Sequence, residues 1–365
     1  MQNYSNPQSA TRNPQFFDAH CDTVMRVFDG GLDFVAGQDR AHIDLPRLLT
    51  VGYCVQLFAI FSPKSQYPDR DLRTFADDII AAIKGWVEAS GERMRPVTEA
   101  SHIRNMCASK GVVGALLGME GADPLEGRAE NLAHFHQAGL RSLIPAWSDN
   151  AFSGTCMGSG GPLTEEGAKL IELAEALRVM VDVSHLSDAA FDQVCRITRR
   201  PFVASHSNSR EICPSPRNLT DEQIRALAAR GGVMGINLSA DFLAPDYMVL
   251  WDAIAGPAYA AARQTSDPVE KRRIRDETRA KLIQIPLPPS EWIARHVRHA
   301  IEVGGEDCIG LGGDLDGITT MPIGITGAES YPAIADLLST AGLTAEQVEK
   351  VCWRNMARVY SEVLG

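Results

Sequence analysis

Eight short apolar runs, separated by stretches of helical periodicity, constrain this chain more than any other feature. They are FFDAH (16–20), YCVQLFAIF (53–61), GVVGALLGME (111–120), RSLIPAW (141–147), VMVDVSH (179–185), PFVASH (201–206), GVMGINLS (232–239) and CIGLGGD (308–314). Several are apolar almost throughout rather than at alternate positions, the pattern of parallel strands covered on both faces. Between them, TEEGAKLIELAEALR (164–178) opens on Thr164 as a helix N-cap with acidic residues in its first turn. TDEQIRALAARGG (220–232) carries a Thr220…Gln223 capping box and ends in glycine, and TAEQVEKVCWRNMARVYSEVL (344–364) repeats the pattern. Eight strands alternating with helices predict an α/β fold, a (β/α)8 TIM barrel. The competing open, doubly wound sheet would call for a glycine-rich phosphate turn after the first strand, and DAHCDT (18–23) has none. With 365 residues and 45% hydrophobic content, the chain can fill such a barrel as one domain, expected over residues 15–365 after a polar tail at 1–14.

One connection breaks the rhythm. Between the seventh and eighth runs, residues 240–306 hold a densely charged helical segment, DPVEKRRIRDETRAKLIQ (267–284), then IPLPP (285–289), then the helix SEWIARHVRHAIEVGG (290–305). The segment 240–290 therefore reads as a helical insertion before the last strand. On a barrel it would sit at the catalytic face, where a lid, a homodimer contact and a plain surface addition are all open readings. The net charge of −11 and the lack of a basic block argue against a nucleic-acid partner. No apolar run approaches the roughly 18 residues that span a bilayer, so no membrane span is expected, and the N-terminal stretch lacks a signal-peptide core, which makes a cytoplasmic protein the default and leaves a processed or exported form as the open alternative. The eight cysteines are scattered without a CxxC pair, which fits reduced thiols and a cytoplasmic location.

The polar residues that close the apolar runs are the candidates for chemistry. His20 and Asp22 end the first, Glu120 the third, His185 the fifth, His206 the sixth and Asp314 the eighth. Barrel enzymes place their reacting groups on that rim, at the C-terminal ends of the strands. Singly, each has an ordinary explanation as a satisfied histidine, a cap or a loop residue. Jointly, three of nine histidines and three carboxylates at the same end of different strands are harder to dismiss. The other six, His42, His102, His134, His136, His296 and His299, fall in helical or loop segments and read as structural or solvated. Three imidazoles with two or three carboxylates suit borderline divalent metals such as zinc. Two such ions can generate hydroxide at neutral pH and polarise a carbonyl, which is hydrolysis without a protein nucleophile. Strand alternation would put Asp18, His20 and Asp22 on one face, with Asp18 one layer deeper as a support, and would turn Cys21 toward the helices. The Ser-His pairs at 184–185 and 205–206 are discounted as nucleophile sites, because neighbours on a strand face opposite sides.

These residues and their surroundings resemble the membrane (renal) dipeptidase family, a binuclear zinc branch of the amidohydrolase superfamily. The landmarks are DAHCD, GMEG, DVSH, SHSNSREICPSPRN, GLGGDLDG and YPAIADLLSTAGLTAEQVEKVCWRNMARV, in that order. The resemblance implies an amidohydrolase-like barrel that cleaves dipeptides with two zinc ions. It implies that His20 and Asp22 hold one ion, that Glu120 bridges both, and that His185 and His206 hold the second. It also implies that Asp314 handles the proton, in preference to Asp316, and that Arg217 grips the substrate's C-terminal carboxylate, for which a planar guanidinium is well shaped.

The chain departs from the family at LIPAWSDNAFSG, where Trp147 stands in place of a histidine near the scissile carbonyl oxygen. An indole offers one donor and no positive charge. The leading expectation is a zinc dipeptidase, extending to dipeptides with a D-residue at the C-terminal position. The alternative is another amidohydrolase reaction at the same site, on N-acyl amino acids, lactones or cyclic amides. The third reading is a barrel that has lost catalysis.

Overall fold

The computed structural model describes residues 15–37, 41–265 and 267–365, so the expected tail at 1–14 lies outside the described residues. Among the described residues there are nine strands: β1 (Phe16–Cys21), β2 (Tyr53–Phe61), β3 (Met94–Val97), β4 (Val113–Glu120), β5 (Leu140–Ile144), β6 (Met180–Val181), β7 (Val203–Ala204), β8 (Val233–Ile236) and β9 (Ile309–Leu311). All their pairings are parallel. Eight of them follow one another around a barrel in the order β6-β5-β4-β2-β1-β9-β8-β7. At the seam, Val183 N donates to Val203 O at 2.8 Å and Asp182 bridges to Val203, which nearly closes the ring. The expected (β/α)8 barrel is therefore the architecture.

The ninth strand, β3, was not foreseen. Its four residues, MRPV, pair with Val113–Leu116 of β4, while β5 pairs with Leu117–Glu120. Because β2 covers residues 114–120 from the other side, β3 and β5 share a single edge of β4 end to end. The strands that deliver the site are also shorter than their apolar runs. β6, β7 and β9 stop after two or three residues, and the chain beyond them turns. Past the end of β7, the carbonyl oxygen of Ser205 lies where an added Cβ at Gly235 or Gly312 would fall. The ends of β7, β8 and β9 approach too closely there for any side chain.

The barrel's interior and its outer layer can be told apart by what packs where. Phe17, Ala19, Leu57, Leu116, Met180, Val203 and Val233 form a cluster with Met356, Tyr360 and Val363 of the last helix, Asn355–Leu364. Tyr360 stacks on Phe17 at 5.4 Å between ring centroids. A larger cluster, including Phe16, Phe58, Ile60 and Tyr331, joins the outer strand faces to the surrounding helices. Helix starts follow the sequence signals. Thr164 accepts from Gly167 N, and Thr220–Gln223 and Thr344–Gln347 form capping boxes. The final helical stretch is interrupted by a wider π turn at Lys350–Arg354.

The insertion consists of helices Ala240–Leu243, Pro245–Gln264 and Pro268–Leu282, followed by Glu291–Gly304 leading to β9. It has a small apolar cluster of its own around Tyr247, Trp251, Ala255, Leu282 and Ile285. Its root is tied to the loop after β9: Tyr247 Oη donates to Thr320 Oγ1 at 2.9 Å, and Ala240 N to Thr320 O at 3.1 Å. No helix among the described residues is long and apolar enough to cross a membrane.

Candidate metal centre

The strand ends converge on Glu120. Its Oε1 lies 2.9 Å from His185 Nε2 and 3.7 Å from His206 Nε2, and its Oε2 lies 3.4 Å from His20 Nε2. On the far side of His20, Asp22 Oδ2 is 3.6 Å from Nε2. Asp314 closes that side, since His20, Asp22 and Asp314 offer donor atoms within 4.8 Å of one another, as do His20, Glu120 and His206. One glutamate thus presents an oxygen to each of two groups of ligand-type atoms. Asp22 Oδ1, Glu120 Oε2 and both ring nitrogens of His20 are buried without any hydrogen-bond partner. Unpaired buried polar atoms cost about 1–3 kcal/mol each. A set of inward-facing imidazoles and carboxylates left in that state fits divalent cations and little else.

Each side chain reaches the centre by a specific backbone device. β1 pairs in register with β2 at Asp18↔Gln56, but the next pair is Cys21↔Phe58, so β1 carries one extra residue there. The bulge changes which residues face inward. It corrects the expectation that Asp18 and His20 share a face. Phe17 and Ala19 face the interior, Asp18 does not, and the extra residue is what turns His20 in. Asp18 instead accepts from His20 N at 2.8 Å through Oδ1, and from Gly313 N at 3.1 Å and the Tyr331 hydroxyl through Oδ2. It holds the backbone of His20 from behind the strand. Cys21 is buried in the outer cluster, as alternation predicted.

At β6 the device is different. His185 has φ +70°, as Asp314 has φ +56° and Asp316 φ +69° after β9. Left-handed backbone at a non-glycine residue is costly and gathers at functional sites. The inward position beneath the strand-end ligand candidates that was expected for Asp18 belongs to Asp182. Asp182 lines a small interior space with His20, Glu120 and Ser142, and its Oδ1 accepts from Ser184 N and Ser205 N, both at 3.0 Å. Asp182 was missed in the sequence, although VDVSH and FDAHC both place an Asp two or three residues before a strand-end histidine. The serines beside the histidines are also supports rather than nucleophiles. Ser205 Oγ is 2.8 Å from His206 Nδ1, which leaves Nε2 for the centre, and Ser184 Oγ accepts from His206 N at 3.2 Å.

Burial pushes Asp314 well above the usual carboxylate range, and the neighbouring Asp22 and Glu120 charges push the same way. Asn237, also missed, donates from Nδ2 to Asp314 Oδ2 at 2.9 Å. Burial, then the Glu120 charge, raises Asp22 to about 6. Burial would raise Glu120 as well, but the His20 and His185 imidazoles outweigh it and hold it below its usual range. Burial, and then Arg217, lowers His185 to about 4, which keeps the imidazole neutral and able to bind a cation. Asp316 is committed elsewhere. It accepts from Thr23 Oγ1 at 2.7 Å, Arg26 Nε at 3.3 Å and His42 N at 3.0 Å, fastening the loops that frame the rim.

Arg217 is buried beside the histidines, donating to His206 O at 3.1 Å and lying 3.4 Å from His185 Nε2. Its Nε has no partner, nor has the nearby Ser207 Oγ, and no carboxylate among the described residues pairs with it. Trp147 stands half-buried after β5, its ring 5.1 Å from that of Phe61 and 6.1 Å from that of His185. Of the histidines read as structural, His296 accepts from Ser209 N and faces Leu243 O, and His134 and His299 pair with Asp77 and Asp221.

A family profile described as Membrane dipeptidase (Peptidase family M19) matches residues 8–364. The chain belongs to the membrane dipeptidase family. Its fold agrees. A structure described as dipeptidase AC, a metallopeptidase of family M19, superposes with a TM-score of 0.81 at 26% identity, over 97% of this chain and 99% of that one. A Rhodobacter sphaeroides metallopeptidase, solved with a phosphinate mimic of the dipeptide L-Ala-D-Ala, gives 0.80 at 26% identity, over 96% and 99%. The probable dipeptidase PvdM of Pseudomonas aeruginosa, at 19% identity and a TM-score of 0.82, shows the same fold. Among curated sequences, the uncharacterized protein in the pqqA 5′ region of Klebsiella pneumoniae is 32% identical over 292 residues, 78% of this chain and 94% of that protein. Like the family, this chain is a metal-dependent hydrolase of the dipeptidase class.

Proposed function

We propose that the chain hydrolyses the peptide bond of free dipeptides with a pair of zinc ions held by His20, Asp22, Glu120, His185 and His206. The observation that carries this reading is Glu120, buried with one carboxylate oxygen toward each histidine group while its neighbours' donor atoms lack partners. Bound there, such ions supply a nucleophile from water at neutral pH and polarise the scissile carbonyl. The chain's own residues do the rest. Asp314, its Oδ2 held by Asn237, takes up the proton released by water and passes it to the leaving amine. Arg217 selects for a free C-terminal carboxylate. A buried guanidinium without an anionic partner is strongly destabilising, and the substrate's carboxylate would complete it. A carboxylate clamp is indifferent to the configuration of the residue that carries it, so L,D dipeptides belong in the substrate range alongside L,L ones.

Trp147 favours one competing reading, hydrolysis of an N-acyl amino acid, lactone or cyclic amide at the same centre. Metal content measured beside turnover of L,L and L,D dipeptides, dipeptide amides, N-acyl amino acids and lactones decides between them. Dipeptide turnover that falls sharply for the amides supports the proposal. Fully loaded protein that cleaves no dipeptide overturns it.

A further inference from the structure

Three aromatic rings at the mouth of the barrel have no part in holding metal or moving protons. Phe61 is the last residue of β2 and pairs in register with Glu120, so its side chain enters the mouth beside the bridging carboxylate. Trp147 meets it edge-on at 5.1 Å and 83°, and Tyr67 meets it from the other side at 6.4 Å and 76°. All three are half-buried. Tyr67 is itself packed on Phe75 at 4.9 Å, with the Arg70 guanidinium over both rings. The polar groups around the rings are engaged with one another. Asp123 accepts from Lys64 N at 3.1 Å and Asn150 Nδ2 at 3.0 Å, and Ser65 bonds Ser148 at 2.8 Å, which fastens the loops after β2, β4 and β5 together. The indole N–H of Trp147 has no acceptor among the described residues. The result is a braced, half-buried apolar wall beside the centre.

The ring order relates the wall to Arg217. Arg217 reaches the centre from the loop after β7, and β2 lies four strands from β7 in either direction around the barrel. A dipeptide whose carboxylate sits on Arg217 and whose peptide bond sits at Glu120 must extend its amino-terminal residue toward β2. Resting on the reading of the chain as a dipeptidase, we propose that Phe61, Tyr67 and Trp147 form the subsite for the amino-terminal side chain, and that the preferred substrates are dipeptides with a large apolar or aromatic first residue. Ring edges and faces at this spacing accept an aromatic or branched aliphatic group, and the charge at the outer end of the wall, Arg70, lies over the Tyr67 and Phe75 rings.

The test is a series of dipeptides with Phe, Leu, Ala, Gly or Asp in the first position and one constant second residue. The wild-type protein is expected to favour Phe over Gly by roughly 10- to 100-fold in kcat/KM, with Asp poorest. Trp147→Ala and Phe61→Leu are each expected to lower the Phe:Gly ratio by about 10-fold at unchanged metal content. Circular dichroism and metal analysis identify any variant that fails to fold, and Tyr67→Leu, at the outer edge of the wall, then takes its place. Turnover indifferent to the first residue, or favouring Asp, overturns the subsite while leaving the dipeptidase reading intact. Should no dipeptide be cleaved, that reading fails, and calorimetry with phosphinate dipeptide mimics bearing Phe or Gly in the first position still judges the wall. Equal affinity for the two overturns it.

Discussion

Asp18 and Asp182 perform the same local act on opposite faces of the barrel wall. Each is buried, neither faces the centre as a ligand, and each uses Oδ1 to accept the backbone N–H two residues further on, at His20 and Ser184. Asp18 stands behind β1 among Gly313 and Tyr331, and Asp182 stands inside, beneath the histidines. Strict alternation would then send His20 outward with Asp18, and His185 outward against Asp182. The chain corrects the first with an extra residue in β1 and the second with left-handed backbone at His185. Two unrelated irregularities thus deliver imidazoles to the same carboxylate. Geometry at a centre like this is set where the strand departs from regularity.

The comparison can be broken or sharpened by substitution. Glu120→Gln removes the group both halves share. On the two-ion reading proposed above, it should lower kcat/KM about 1000-fold or more and strip both ions, as read by metal analysis and steady-state kinetics. One ion retained at full occupancy would mean that the halves do not meet at Glu120. Asp18→Asn turns an amide N–H toward the Gly313 N–H and the Tyr331 hydroxyl. It should cost about 2–4 kcal/mol in denaturant unfolding and loosen the His20–Asp22 side. Asp182→Asn can keep Oδ1 on both its donors and should cost less. Equal losses would show that the two aspartates are interchangeable supports.

Acid should act on one half first. His296, in the helix before β9, holds Ser209 in the loop after β7, and burial lowers its pKa to about 4. A free imidazole titrates near 6.5, so the folded state favours the neutral form. Its contribution is complete above pH 6.5 and is lost as the pH falls from there toward 4, on the order of 3 kcal/mol in all. Thermal unfolding followed across that window in wild type and His296→Gln should show the steeper fall in wild type, and parallel curves would refute the assignment. The smallest effect is expected for Ser205→Ala, which frees His206 Nδ1 and should weaken metal binding about 10-fold on that side alone.

Much of this was legible in the sequence because parallel strands buried on both faces leave long apolar runs, and polar residues at their ends stand out. His20, Asp22, Glu120, His185, His206 and Asp314 meet as those runs suggested. Asn237 lies near the end of the run GVMGINLS, where the same rule would have drawn attention to it. β3 was not legible, since MRPV is four residues long and carries an arginine and a proline on its exposed positions. The orientation of Asp18 was not legible either. A bulge is defined by what the neighbouring strand does, and β2 lies more than 30 residues away. For the same reason, nothing in VDVSH announces the left-handed turn at His185.

The closure of β1 against β9 has a consequence for how the molecule is made. Asp18 pairs across to Leu311 and takes the Tyr331 hydroxyl, partners that leave the ribosome some 300 residues after it. At typical elongation rates, that is a wait of roughly 15 to 60 seconds. During it, β1 can dock on β2, but its other edge stays open and the carboxylate behind it lacks two of its donors. His20 and Asp22, the first of the candidate ligands to be synthesised, are therefore among the last to be fixed in place, because their strand is not closed in until almost the whole chain has emerged.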